Sequence, residues 1–118
     1  ALFIFYSAAI WFCYVMMMYV GLYCFEPIAN ISGDVNLFRF AFLGTVIGSF
    51  GMAMPIPGGI GPYHNAIIFS FIAFHVFPAE EMSRTMGQTF AFAFHTAQML
   101  VVLAGGAMGY AYLIMRKK

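Results

Sequence analysis

The sequence predicts an all-α fold, a polytopic membrane bundle of helices, and three observations support this fold class. Apolar types make up 64% of the 118 residues and only 8% are charged, against about 45–50% and about 25% in an ordinary soluble domain. The few charges leave long charge-free stretches between them, and a tract of proline and glycine interrupts one of these. So few charges cannot cover a soluble domain of this size, and the high hydrophobicity also excludes a disordered chain.

The first charge-free stretch, residues 1–25, predicts a transmembrane helix, because a span needs about 20 apolar residues. It is too long for the apolar region of a signal peptide, about 7–15 residues. The stretch closes at Glu26 and Pro27, where proline lacks the N–H that a continuing helix would use. Cys13 and Cys24 are interpreted as small apolar packing residues. Since the chain starts within an apolar run, we expect it to be a piece of a longer membrane protein.

Residues 26–39 predict a polar loop, in which Asp34 is the candidate N-cap of the next helix. Residues 40–77 then predict two short helices, because the tract 54–62 holds three prolines and three glycines and cannot continue a helix. The two pieces form either a re-entrant hairpin or two short, tilted spans joined at the membrane surface. The hairpin is favoured because the tract carries no charge. Such a broken backbone must then be buried in protein or line a wet cavity.

Residues 79–115 predict a long transmembrane helix, so that the broken pair of short helices lies between two full transmembrane helices. Glu80 and Glu81 suit the positive end of its dipole, and the basic residues 116–118 suit its negative end. Lysine and arginine gather on the cytoplasmic side of spans. We therefore expect a multi-pass protein of the cell membrane with a cytoplasmic C-terminus.

Polar and small residues follow one another on this helix in steps of four and three, which places them on one face. This face is either a packing seam or the polar wall of a substrate path, because intramembrane polar side chains usually face the protein interior. Gly105 and Gly109, like Gly44 and Gly48, have the spacing that permits close helix packing. The members of the face are Arg84, Gln88, Ala91, His95, Gln98, Val102, Gly105, Gly109 and Tyr112.

The glycine tract offers a further candidate site, because backbone N–H groups ahead of a helix attract anions. The alternative is a tight turn that serves packing only. The three histidines lack metal-ligand spacing, so we expect neither a metal nor a cofactor. No nucleophile elbow or paired-carboxylate site occurs, so we do not expect an enzyme. A net charge of +1 gives no indication of nucleic-acid binding.

The run Pro55-Ile56-Pro57-Gly58-Gly59-Ile60-Gly61, followed by a short apolar half-helix, resembles a family signature. It is similar to the transmembrane region of the lysylphosphatidylglycerol synthase/flippase family, from Gly44 to the C-terminus. His64 stands where that family typically has an acidic residue. The resemblance implies a flippase-like domain with re-entrant helices that moves phospholipid or another lipid between leaflets. The aminoacyl-transferase domain of some relatives has no counterpart here.

The expected function is therefore the binding or translocation of a lipid. An ion or small-solute secondary transporter, or a membrane scaffold for a lipid-modifying enzyme, are the alternatives. The expected partners are membrane lipids, together with further spans of the same protein or a second copy. The candidate substrate-binding residues are Pro57, Gly58, Gly59, Ile60, Gly61, His64, Arg39, Arg84, Gln88, His95 and Gln98.

Overall fold

A computed structural model describes residues 2–29 and 36–116, and these residues form five α-helices and one 3₁₀ turn. The prediction of an all-α fold is thereby confirmed for the described part of the chain. The elements, in chain order, are α1 (Leu2–Cys24), α2 (Glu26–Ala29), α3 (Leu37–Met52), the 3₁₀ turn (Pro57–Gly59), α4 (Pro62–Ala73) and α5 (Glu80–Arg116).

Two helices, α1 with 23 residues and α5 with 37, are long and apolar enough to cross a membrane by length and composition. The sequence explains where they end. Glu26 and Pro27 follow α1, and α5 starts at Glu80 and closes at Arg116, so that acidic and basic side chains stand at the complementary ends of its dipole.

The connection after α1 differs from the predicted loop over 26–39, since it contains α2 and the first turn of α3. The N-cap of α3 is Asn36, whose Oδ1 accepts a hydrogen bond from the Arg39 N–H at 3.0 Å. Asp34, the predicted cap, lies outside the described residues. Arg39 is consequently a residue of the first turn of α3.

Helices α3 and α4 form an antiparallel hairpin around the 3₁₀ turn. Near the turn, Gly51 lies against the backbone of Tyr63, where an added Cβ would be 2.7 Å from the Tyr63 Cα. At the far end, the rings of Phe40 and Phe71 meet edge to face with centroids 5.1 Å apart. Gly48 lies between these contacts and faces Tyr63. Small residues on α3 therefore let the two backbones approach closely.

The hairpin packs on only one half of each long helix. The buried residues of α1 are Val15, Met18 and Leu22, all in its second half. Those of α5 lie between Ser83 and His95, in its first half. From residue 100 to residue 116 every side chain is exposed. Gly44 lies near Met18 of α1, whereas nothing among the described residues lies within 4 Å of a Cβ added at Gly105 or Gly109.

An aromatic core joins the hairpin to the long helices. Phe71 of α4 lies between Phe40 of α3 and Phe90 of α5, with centroid distances of 5.1 and 5.6 Å. Phe90 also meets Phe25, after α1, at 5.6 Å. Aromatic pairs at these distances stabilise a core beyond their burial of apolar area. The core fixes the height at which the turn of the hairpin stands beside α1 and α5.

Gly87 provides a test of this packing. A Cβ at Gly87 would lie 3.0 Å from the Phe71 side chain and 3.2 Å from the Ile68 backbone. We expect Gly87→Val to lower the free energy of unfolding by about 1–3 kcal/mol, because overpacking forces side chains and backbone apart. Denaturant titration of the detergent-solubilised protein, followed by circular dichroism, measures this change.

Gly105→Val is the matched control, because the same exchange on the same helix meets open space. It should change the unfolding free energy much less. Equal losses for the two variants would show that α4 does not pack on α5 at Gly87.

Candidate functional site

A cleft of about 440 Å³ lies between the long helices and the turn end of the hairpin. Its walls come from α1, α3 and α5, and Tyr63 of α4 completes it. Most lining atoms are apolar, and four of the lining residues are methionines. The lining residues are Trp11, Tyr14, Met17, Met18, Thr45, Gly48, Ser49, Met52, Tyr63, Phe94, Gln98, Met99, Val101 and Val102.

The cleft stands at the middle of both long helices. Trp11 and Tyr14 flank the midpoint of α1, and Gln98 is the middle residue of α5. Met52, the last residue of α3, lines the same cleft. The hairpin therefore reaches halfway along α1 and α5 and turns back there.

Six side chains that line the cleft carry an O–H or N–H group, and they differ in what they can offer a ligand. The Thr45 hydroxyl donates to the Ala41 carbonyl at 2.7 Å, and the Ser49 hydroxyl donates to the Val46 carbonyl at 2.6 Å. Because these protons are held by the helix, both oxygens are left as acceptors only. The hydrogen-bond donors of the cleft are therefore Trp11, Tyr14, Tyr63 and Gln98.

Tyr63, His64 and His95 form a cluster of three rings, of which only Tyr63 lines the cleft. The His95 ring lies 4.8 Å from the Tyr63 ring and 5.1 Å from the His64 ring, centroid to centroid. Tyr63 and His95 are each only 5% exposed, whereas His64 is half-buried. The fold thus brings the adjacent residues Tyr63 and His64 of α4 against His95 of α5, which is distant from them in sequence.

Three atoms of this cluster are buried without a hydrogen-bond partner among the described residues. They are the Tyr63 hydroxyl and both ring nitrogens of His95. More than about 90% of buried polar atoms in proteins have a partner, and leaving one unpaired costs about 1–3 kcal/mol. Within the described residues, all the buried side-chain nitrogen and oxygen atoms that lack a hydrogen-bond partner lie in this cluster.

The glycine tract connects to the cluster through His64. The His64 Nδ1 accepts a hydrogen bond from the Gly61 N–H at 3.4 Å, which leaves the proton of the neutral ring on Nε2. The Gly59 N–H donates to the Ile56 carbonyl at 2.9 Å. The Gly59 and Gly61 amides of the tract are thus hydrogen-bonded inside the turn.

The tract adopts a backbone that favours glycine. Gly59 and Gly61 have φ values of +65° and +97°, in the region that L side chains rarely adopt. Gly59 is buried, and an added Cβ would collide with the Met52 Sδ. Pro57 and Ile60, also predicted as binding residues, are exposed beside them. The turn is therefore fitted closely to the end of α3.

The predicted cationic residues do not join the cleft. Arg84 is 60% exposed and pairs with Glu80 on the same helix at 3.3 Å, and Gln88 is exposed. Arg39 lies at the opposite end of the hairpin, beside a separate pocket of about 310 Å³ that His75 also lines. Of the predicted polar residues, only His64, His95 and Gln98 therefore gather around the turn.

Sequence reasoning missed Tyr63, Trp11 and Tyr14, although all three line the cleft. Tyr63 follows Pro62 at the start of α4, one position before the histidine that the motif comparison singled out. Its place beside the glycine tract was the available signal. For Trp11 and Tyr14 no such signal exists, because α1 is apolar on every face.

No protein-family model, no curated protein and no solved structure matches this sequence. The resemblance to the lysylphosphatidylglycerol synthase/flippase family therefore stays a prediction from the Pro-Gly motif.

Alanine variants of Gly58 and Gly59 distinguish the cost of backbone strain from the cost of overpacking in the turn. Both have positive φ, but a Cβ at Gly58 meets only the far end of Ile60, whereas one at Gly59 meets Met52. We expect Gly58→Ala to lower the unfolding free energy by about 1 kcal/mol and Gly59→Ala by about 2–4 kcal/mol, since overpacking adds to the strain. Denaturant titration in detergent measures both losses.

Shortening Met52 is the control for the collision. Met52→Ala in the Gly59→Ala background should recover part of the additional loss. No difference between the two single alanine variants would contradict the contact between Gly59 and Met52.

Proposed function

We propose that the chain is part of a multi-pass membrane protein in which α1 and α5 cross the bilayer. Both helices are long and apolar enough to do so, and each exposes large apolar side chains along its length, among them Phe5, Tyr14, Leu103 and Leu113. Lipid accepts such surfaces, whereas water does not. The basic end at Arg116 favours a cytoplasmic C-terminus in the cell membrane.

The lengths of α3 and α4 favour a re-entrant hairpin. Their 16 and 12 residues rise about 24 and 18 Å, whereas the hydrocarbon core is about 30 Å thick. The turn stands beside the midpoints of α1 and α5. Helices α3 and α4 therefore both extend from the turn toward the same face of the membrane. The exposed residues Pro55 and Gly58 at the turn then require further protein or a wet cavity around them.

The protein binds a lipid in the cleft and moves it between leaflets. The observation that carries this proposal is an apolar cleft with a few polar groups that stands at half the height of the long helices. Its volume is within the range of ligand sites, about 300–1,000 Å³. The wall residues Val101 and Val102 continue into the fully exposed half of α5, so acyl chains reach the cleft from the lipid side.

The depth of the turn can be measured through tryptophan fluorescence. Trp11 is the only tryptophan, and we expect lipids brominated near the chain ends to quench it most. A tryptophan introduced by Met54→Trp, with Trp11→Phe, should show the same deep quenching, because a re-entrant hairpin has its turn near the midplane.

Phe38→Trp with Trp11→Phe provides the shallow reference, since Phe38 is an exposed residue at the start of α3. Quenching of the Met54→Trp variant at the same shallow depth would contradict the re-entrant hairpin and favour two short spans joined at the surface.

Blocking the cleft should block lipid movement. We expect Val102→Trp to slow the movement of a fluorescent phospholipid between the leaflets of proteoliposomes by about tenfold or more, which corresponds to ~1.4 kcal/mol in the barrier. The physical reason is that the indole fills the cleft from the α5 side. Quenching of outer-leaflet fluorescence by dithionite measures the rate.

Leu103→Trp is the matched control, because Leu103 is as exposed as its neighbour, 68% against 66%, and does not line the cleft. This variant should behave as wild type. Equal rates for both variants would contradict transport through the cleft. Gradient-driven uptake of a soluble solute, with no lipid movement, would support the secondary-transporter alternative instead.

A further inference from the structure

Two imidazole rings lie next to each other beside the turn, and one of them is buried with both nitrogens unpaired. His95 is 5% exposed, and neither ring nitrogen has a hydrogen-bond partner in the described part of the chain. The His64 ring lies 5.1 Å away, centroid to centroid. Because the His95 nitrogens are shielded from the cleft, a lipid does not reach them. A proton can still arrive through His64, which is half-buried next to the exposed turn.

The helices packed around these rings bring no charged side chain to them. The other titratable group of the cluster is Tyr63, and Tyr14 of α1 lines the cleft together with it. Helices α1 and α4 contain no acidic residue, lysine or arginine. The one arginine of α3, Arg39, lies at the opposite end of the hairpin. On α5 the nearest charged residue is Arg84, about three helical turns before His95.

The hydrogen bond of the turn determines where His64 carries its hydrogen in the neutral state. The His64 Nδ1 accepts from the Gly61 N–H at 3.4 Å, so the hydrogen of this ring is on Nε2. The neutral His95 ring also carries one hydrogen and has one free acceptor nitrogen. The pair therefore holds two hydrogens on four nitrogen atoms, and one of these four nitrogens accepts the hydrogen bond from the turn.

An added proton changes this arrangement. An imidazolium and a neutral imidazole form a charge-assisted N–H···N bond, which is stronger than a bond between neutral groups. Rings with centroids 5.1 Å apart bring two nitrogens to hydrogen-bond distance when they rotate toward each other. With one hydrogen shared between the rings and one on each remaining nitrogen, all four nitrogens are occupied. The His64 Nδ1 then no longer accepts from Gly61.

We propose that His64 and His95 bind a single proton between their rings and that this proton releases the Gly61 amide from the turn. A second proton would leave no acceptor between the rings and would place two like charges side by side. The turn is fitted to Met52 at the end of α3, and Met52 lines the cleft. Proton binding thereby changes the cleft wall at Met52, whichever molecule the cleft binds.

Nuclear magnetic resonance of the detergent-solubilised protein with nitrogen-labelled histidine tests the shared proton. Between about pH 8 and pH 5, we expect the ring signals of His64 and His95 to change together in one step that takes up one proton. A scalar coupling between nitrogens of the two rings, across the N–H···N bond, should appear in the same step. His75, which is exposed beyond the other end of α4, is the internal reference and should show no coupling.

The Gly61 amide reports the release of the turn. Relative to the intrinsic rate at each pH, its hydrogen exchange should accelerate by about three- to tenfold in the same step, the effect of losing one hydrogen bond. The Gly59 amide is the matched reference, because it donates to the Ile56 carbonyl at 2.9 Å. Its exchange should not follow the proton.

Two variants separate the shared proton from packing. His64→Asn places an amide oxygen near the position of Nδ1 and takes up no proton, so the Gly61 amide should stay protected throughout the titration. His95→Phe keeps an aromatic ring and removes the unpaired nitrogens, so it should fold at least as stably as wild type at neutral pH. The nitrogen–nitrogen coupling should then disappear.

Two results would overturn the inference. One is proton uptake by His64 and His95 in two separate steps, with no coupling between their rings. The other is a Gly61 exchange rate that ignores the proton step, or that changes equally in His64→Asn.

These measurements use no transported molecule, so they are independent of the proposed function. A shared proton in a protein that moves no lipid supports this inference and contradicts translocation. Lipid movement by a protein whose two rings share no proton supports translocation and overturns this inference alone.

Discussion

The close contact between α3 and α4 at Gly51 is the interaction on which the rest of the structure depends. Only a residue without a Cβ lets the end of α3 lie against the backbone of Tyr63. This contact closes the hairpin, and the aromatic core of Phe40, Phe71 and Phe90 fixes its height against α5. The cleft exists because the hairpin turns back at that height and leaves space between the long helices.

The glycine tract and the cleft have different roles, although the sequence suggested the tract itself as a binding site. The Gly59 and Gly61 amides are held within the turn, so these glycines serve a backbone conformation and a close approach. Among residues 2–29 and 36–116, the buried polar side-chain atoms without a partner are instead at Tyr63 and His95. Departures from ordinary packing and pairing tend to mark functional sites, and this one lies at Tyr63, in the wall of the cleft beside the turn.

The two halves of each long helix also differ in how much of their surface is buried. The halves next to the hairpin bury residues such as Leu22 and Phe90, whereas residues 100–116 are exposed throughout. Dispersion contacts and hydrogen bonds, and not the hydrophobic effect, drive helix association in lipid. In the proposed bilayer setting an exposed apolar half is therefore stable, and it leaves a surface along which acyl chains reach the cleft.

The sequence by itself determined the all-α class, the break between α3 and α4 and the approximate ends of α1 and α5. Prolines, glycines and charges act on the backbone within a few residues, so their positions in the chain suffice. Only the tertiary structure decided which faces pack. Ala91 and His95 of the predicted face of α5 are buried, but Arg84 and Gln88 are exposed. The other buried residues of this helix, Ser83, Gly87 and Phe90, lie outside the predicted face. A helix that is apolar on nearly every side carries no local mark of its buried face, so the positions of Trp11, Tyr63 and His95 in one site depend on contacts between distant segments.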